Sequence, residues 1–144
     1  MLFRSLVAVG VAIMLVKTNT VGVAFGDSIL SQALTVLWIV GICNSINFFD
    51  NLDGGAAGTV AVVTLGIFFI AFDRGQESIS ALAIVTAGAT LGFLMWNKQP
   101  AKIYMGDAGA LFLGVVISVL TIRINPGIDP SWKSLILMPT ATRV

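Results

Sequence analysis

Residues 55–96 read GAAGTVAVVTLGIFFIAFDRGQESISALAIVTAGATLGFLMW, two long uncharged runs on either side of the polar link DRGQES at 73–78. Each run is close to the roughly 20 residues that a helix, rising ~1.5 Å per residue, needs to cross a ~30 Å hydrocarbon core. Two spans joined by so short a link must return antiparallel. The segments that flank them, ending at Gly54 and resuming after Trp96, therefore emerge on the same side of a membrane. That placement governs how the rest of the chain is read.

The whole composition agrees with spans. Of 144 residues, 57% are hydrophobic and only 10% charged, with a mean hydropathy of +0.98. A soluble domain carries about 25% charged residues, so this chain cannot surface a water-soluble globule and reads as an integral membrane protein. A net charge of +1 and the lack of any basic run exclude a nucleic-acid footprint. There is no histidine, which excludes imidazole metal sites and histidine acid–base chemistry within these residues. Cys43, the single cysteine, stands in an apolar run and reads as a small buried hydrophobe.

Apolar runs fall at 2–16, 30–49, 55–72, 78–96 and 109–122, and a sixth, SLILMPTATRV at 134–144, starts and then stops. The expectation is an all-α, polytopic transmembrane helix bundle with five spans plus a truncated sixth, forming one transmembrane domain over 1–144. The first run has the look of a signal peptide, but no clean small-x-small site follows it, and we read it as a membrane helix. Gly41, Gly58, Gly66, Gly88 and Gly92 are expected to let helices approach closely, Gly88 and Gly92 as a packing pair. Trp96, Tyr104 and Trp132 fit interfacial anchors, whereas Trp38 lies mid-span and is expected to pack between helices. Arg4, Lys98 and Lys102 fall on one side and Lys17, Arg74, Arg123 and Lys133 on the other, a split too even to fix orientation.

Two polar constellations interrupt this pattern. NSINFFDNLDGGAAG at 44–58 places Asn44, Asn47, Asp50 and Asp53 at intervals of three, after which DGG breaks the helix. On an α-helix such steps drift by about 60° each, so the four spread along one flank; a tighter 3₁₀ winding would align them. Ionised carboxylates are costly in hydrocarbon and must face water, a partner or a cation. A plain turn with capping roles and a polar seam between helices are the bland alternatives. The second constellation is PAKIYMGDAGALFLG at 100–114, where Gly106 and Gly109 bracket Asp107 at the start of a span. Asp107 could be an ordinary N-cap, or the glycines could expose N–H groups to a phosphate at a helix N-terminus. Lys98 and Lys102 precede it and could snorkel, or together attract an anionic substrate. Because the hairpin sets both constellations on one side, Asp50, Asp53 and Asp107 are expected to converge there. Carboxylates without histidine or thiolate suit a hard cation such as Mg²⁺, completed by phosphate oxygens and water. Phosphoryl transfer needs little more than such a site supplies.

The two stretches resemble the N-x-x-N-x-x-D-x-x-D-G-x-A and P-x-K-x-F-M-G-D-x-G-S-x-x-L-G motifs of the polyprenyl-phosphate N-acetylhexosamine-1-phosphate transferases (glycosyltransferase family 4). The branch most resembled is the undecaprenyl-phosphate N-acetylglucosamine-1-phosphate transferases, with phospho-N-acetylmuramoyl-pentapeptide transferase more distant. The resemblance implies transfer of N-acetylhexosamine 1-phosphate from a UDP-sugar to polyprenyl (undecaprenyl) phosphate, with release of UMP, in cell-wall or surface glycan assembly. It implies Mg²⁺, a bacterial plasma membrane, a site on the cytoplasmic face, and a homodimer as a further candidate assembly. By motif position, Asp107 is implied as metal ligand; Asp50, Asp53 and Asp107 as catalytic; Asn47, Gly54, Tyr104 and Lys102 as substrate-binding, with Tyr104 in place of the aromatic that stacks on uracil.

Departures from the pattern are equally specific. No Asp-Asp pair occurs in the chain, whereas the family's lies just upstream of the helix that begins here at Met1. The family's histidine-rich loop has no counterpart. Asn51 stands where Gly is usual, Ala110 where Ser is usual, and Gly55 where Leu is frequent. The chain is therefore read as the central part of a transferase about twice its length, in an incomplete or inactive form. A transporter or channel with a carboxylate cation site is the first rival, and it would hold its acids mid-span. An inert membrane fragment is the second.

Overall fold

The computed structural model describes residues 2–18 and 29–125, with side chains from Ser5 onward in the first helix. The described residues form five helices: α1 Leu2–Lys17, α2 Ile29–Phe49, α3 Gly55–Asp73, α4 Glu77–Asn97 and α5 Gly106–Arg123. Each coincides with one of the five apolar runs, and there is no strand among the described residues. Helices α2 to α5 are long and apolar enough to cross a membrane, and α1 is a shorter apolar helix. The sixth run, Trp132 and Lys133 lie outside the described residues.

The bundle is arranged as the short link requires. α3 and α4 form an antiparallel pair with the most extensive contact in the molecule, α2 packs on α5, and α1 lies against α2. α5 contributes to all three clusters of the core: Ile122 beside Ala12 and Ile39, Ala110 and Ile117 beside Ile46 and Val60, and Leu120 beside Ile67 and Ala83. It is the spine of the fold.

Alanines line much of the interior, and many large apolar side chains face outward. Ala57, Ala61, Ala83 and Ala87 are fully buried, while Leu37, Val62, Phe69, Val85 and Phe112 are exposed. A water-soluble monomer rarely exposes so much contiguous apolar area, so this outer surface is built for lipid. Buried hydroxyls are satisfied within their own helices: Thr64 donates to the Val60 carbonyl at 2.7 Å, Thr90 to Thr86 at 2.8 Å and Ser118 to Gly114 at 2.7 Å. No buried side-chain N or O among the described residues lacks a partner, as a chain in hydrocarbon demands. Two further polar links cross between elements. Trp38 donates its indole N–H to Thr121 of α5 at 3.1 Å but stays 38% exposed, so it lies against α5 at the bundle surface and is not enclosed between helices as expected. At the far end, Gln76 grips the chain after α5, donating to the Asn125 carbonyl at 2.9 Å and accepting from its N–H at 3.0 Å.

The glycine expectation needs correction. A Cβ built on Gly41, Gly58, Gly66, Gly88 or Gly92 would meet nothing within 4 Å, so none of the five mediates a close approach among the described residues. That role falls to Gly114, where a Cβ would lie 2.7 Å from the Cys43 Cα and 3.0 Å from its Sγ. The helical faces were assigned from composition, and composition does not reveal which glycines turn inward. Gly114→Val is expected to destabilise the bundle by about 1–3 kcal/mol through forced separation of α2 and α5. Gly88→Ala, placed in open space, should be neutral or stabilise by up to about 1 kcal/mol through helix propensity. Thermal unfolding of both variants in detergent checks the contrast, and equal destabilisation would refute it.

Candidate functional site

The site grows from the ends of helices at one end of the bundle. α2 carries Asn44 and Asn47 on its last turns and stops at Phe49. Beyond it the winding tightens, with Asn51 N–H bonded to Phe48 at 3.2 Å and Leu52 N–H to Phe49 at 3.1 Å, an i to i+3 pattern. Asp50 and Asp53 therefore ride on a turn, and only the two asparagines lie on the helix. Gly54 closes the turn at φ 74°, a left-handed conformation that a side chain resists.

Asp107 comes from the opposite direction, in the first turn of α5. The N-cap there is Met105, so the capping role considered for Asp107 is not what it does. Its carboxylate accepts a hydrogen bond from Asn47 Nδ2 at 3.2 Å. Asp50 is half-buried nearby, and its carboxyl is held above the usual carboxylate range. Burial is the chief cause; the Gly106 N–H opposes it by bonding the carboxylate, and the charge of Asp107 adds to it. Two carboxylates and a carboxamide thus face one another across the α2–α5 seam. One turn deeper along α2, Asn44 meets α1: Ser5 donates to its Oδ1 at 3.4 Å.

Asp53 does not join them. Its Oδ2 accepts from the Ala101 N–H at 3.1 Å, which ties the turn to the loop between α4 and α5. No group of three or more acidic or other metal-ligating side chains gathers among the described residues. The expected convergence of three acids thus reduces to Asp50 and Asp107. The reason is local: three residues further along the turn than Asp50, Asp53 reaches the loop between α4 and α5, where the Ala101 N–H is its partner.

The loop of residues 98–105 carries the remaining named residues. Lys102 bends back, its N–H bonded to the Trp96 carbonyl at 2.9 Å and its ammonium 5.5 Å from the centre of the Trp96 ring. Lys102 thereby behaves as an interfacial cation on an aromatic face. Tyr104 is 69% exposed, as is Trp96 at 57%, consistent with anchors at a membrane boundary.

One residue escaped the sequence reading. Asn97 ends α4, is 2% exposed, accepts from the Gly54 N–H at 3.1 Å and donates to the Ile103 carbonyl at 2.9 Å. Its only sequence signal is a carboxamide directly after an uncharged span, beside Lys98 and ahead of Pro100. That is too common a pattern to single out without the fold.

An apolar groove of about 250 Å³ runs between α1, α2 and α5, lined by Val7, Val11, Cys43, Leu111, Phe112 and Val115 among others. Leu111 lies one helical turn from Asp107. A larger groove of about 500 Å³ lies between α1 and α2 near Lys17 and Ile29, at the end of the bundle away from the carboxylates.

Comparison with known proteins adds the following. Residues 1–125 match the family model described as Glycosyl transferase family 4. The chain is 44% identical over 128 residues to the probable undecaprenyl-phosphate N-acetylglucosaminyl 1-phosphate transferase of Bacillus subtilis, covering 83% of this chain and 36% of that protein. It is 42% identical over 100 residues to the phospho-N-acetylmuramoyl-pentapeptide-transferase of Chlamydia muridarum, covering 67% of this chain and 30% of the relative. With the Streptococcus thermophilus protein of that name, identity is 39% over 90 residues, or 62% and 26% of the two chains. The chain thus spans about a third or less of the length of these curated relatives. No solved structure matches.

The raised position of Asp50 has a definite sign. A carboxyl whose folded-state pKa exceeds its unfolded one stabilises the fold fully below the unfolded value, and that contribution is lost as pH rises through the folded one. Across that window, from the ordinary carboxylate range upward, the thermal midpoint of the wild type is expected to fall relative to Asp50→Asn. Parallel pH profiles for the two proteins would contradict the assignment.

Proposed function

The chain belongs to glycosyl transferase family 4, and from that premise we propose that it forms the nucleotide- and metal-binding centre of a membrane transferase. The reaction is movement of N-acetylhexosamine 1-phosphate from a UDP-sugar to polyprenyl phosphate, within cell-wall or surface glycan assembly. A phosphate oxygen of the lipid attacks the β-phosphorus of the UDP-sugar, the bond to the bridging oxygen breaks, and UMP leaves with that oxygen. The observation that carries this reading is the Asn47–Asp107 hydrogen bond, because it brings the two polar motifs face to face at one end of the bundle. Two relatives with names of this chemistry, matching 83% and 67% of this chain, support it.

The residues suit a hard divalent cation in a limited sense. Asp50 and Asp107 are close enough for one charge to disfavour the other, and both offer only oxygen. Mg²⁺ takes one or two protein carboxylates and leaves its other positions to phosphate and water, so two acids suffice where three were anticipated. Asp107 and Asp50 would hold the ion, and it would neutralise charge on the diphosphate.

The chain's own groups do the rest. Asn47 fixes the orientation of the Asp107 carboxylate. The N-terminus of α5 offers its positive dipole end and N–H groups to phosphate oxygens. Tyr104 stands exposed at the mouth, where its ring can stack on uracil. Lys98 and Lys102 draw an anionic substrate to the boundary. The groove along Val7, Val11, Leu111 and Phe112 gives the polyprenyl tail an apolar path that starts one turn from Asp107. The nucleophile is a phosphate oxygen, already largely ionised near neutral pH since its second pKa is about 6, so no histidine is required to deprotonate it. The setting we propose is the bacterial plasma membrane, with the site on the cytoplasmic face, where nucleotide sugars are made. A dimer of two chains belongs to the same proposal.

The test uses the chain reconstituted in lipid with UDP-N-acetylglucosamine, polyprenyl phosphate and Mg²⁺. UMP binding should be saturable and should weaken in Tyr104→Ala by about 1–3 kcal/mol, the worth of one base–aromatic stack. UMP release should be lost in Asp107→Asn. Binding that is indifferent to both substitutions would reject the reading, and release of no UMP by the wild type would favour an inert fragment.

A further inference from the structure

We propose that Asn97 is a positioning residue whose carboxamide sets the spacing between the 50–54 turn and Tyr104. Oδ1 accepts from the peptide that joins Asp53 to Gly54, and Nδ2 donates to the peptide that joins Ile103 to Tyr104. The orientation of the amide is forced, because a backbone N–H can only donate and a carbonyl can only accept. Asn97 therefore stands between the two loops as a peptide group would in a sheet, bonded on both edges.

Its surroundings make the link rigid. Asn97 is 2% exposed between exposed Trp96 and Lys98, so a carboxamide has been buried at a helix end, which is tolerable only with its bonds made. The turn it holds sits directly on the last turns of α4: a Cβ on Gly54 would lie 3.2 Å from Leu94 Cδ1 and 3.6 Å from the Lys98 Cα. Asp53 adds a second tie between the same two segments through the Ala101 N–H, at 3.1 Å. The loop is also folded back on α4 by the Lys102 N–H, bonded to Trp96 at 2.9 Å. The helices do not need this clamp to associate, since α3 and α4 meet along their own alanine and threonine faces. What it determines is where the Tyr104 backbone stands relative to Asp53.

The identity of the ligand rests on the reading above; the clamp itself does not. Gln76 provides a control within the molecule. It too bonds backbone groups through both edges of its amide, although both groups belong to Asn125 alone, at the opposite end, away from the carboxylates. A merely structural role for Asn97 would make the two clamps equivalent.

The experiment takes the full chain in lipid nanodiscs, in a Cys43→Ala background, with spin labels at Leu52→Cys and Ile103→Cys. Distance distributions and UMP affinity in the presence of Mg²⁺ are read together. Asn97→Leu is expected to broaden the distribution and weaken UMP binding by about tenfold or more, as loss of two buried hydrogen bonds implies. Asn97→Asp keeps the acceptor for Gly54 and loses the donor to Ile103, so it should fall between. Gln76→Ala should lower the thermal midpoint and leave both readouts as in the parent. An unchanged distribution in Asn97→Leu overturns the clamp, and a broadened one with unchanged UMP affinity overturns its positioning role. If the parent binds no UMP, the nucleotide reading falls and takes that role with it, while the distances still judge the clamp.

Discussion

The approach of α5 to α2 at Gly114 and Cys43 is the constraint on which the site depends. With no Cβ at Gly114, the helix backbones can close to a distance that any side chain would prevent, and the Cys43 thiol reaches the Leu111 carbonyl at 3.8 Å. Cys43 is one turn from Asn47, and Gly114 is two turns from Asp107. Depth along this seam therefore sets the height at which carboxamide and carboxylate meet. Because α5 also takes part in every core cluster, the same contact fixes where α1 and the α3–α4 pair stand around it.

Around that seam the acids divide into two kinds. Asp50 is held above the usual carboxylate range, chiefly by burial and in smaller part by the charge of Asp107 beside it. Asp53 has its need met by a backbone N–H and serves to tie one loop to another. Three carboxylates at one boundary thus perform two tasks, and spacing in the chain does not distinguish them. The distinction comes from where α2 ends: beyond Phe49 the winding tightens, and each further residue turns toward the loop.

The fold was legible because hydrocarbon imposes length and composition together. Five apolar runs became five helices, and the short link at 73–78 gave the antiparallel pair and the shared side of both motifs. The site was legible in part. Of the three acids expected to converge, Asp50 and Asp107 stand together, with Asn47 bonded to Asp107, at the end of the bundle to which the hairpin assigns both motifs. Asn97 was missed because a buried asparagine and an exposed one look alike in sequence, and what buries it is a turn more than forty residues earlier. The inward face of Gly114 was missed, and the outward faces of Gly88 and Gly92 misread, for a related reason. All five helices are apolar on every side, so the pattern does not say which stripe is core.

Placement of charge relative to the spans separates the competing functions. A carrier that couples ion movement to alternating access holds its carboxylates near the bilayer midplane, at breaks within helices. Here the breaks fall after Phe49 and before Gly106, at helix ends, and the acids stand on them while the spans between are unbroken. Among the described residues the seam below the acids is packed with Ile46, Val60 and Ala110. Among the described residues an apolar groove lies along Leu111, Phe112 and Val115, Leu111 being one helical turn from Asp107. The lipid phosphate proposed above matches both halves of this surface, its head beside the acids and its hydrocarbon tail along that groove, which a hydrated ion in transit does not.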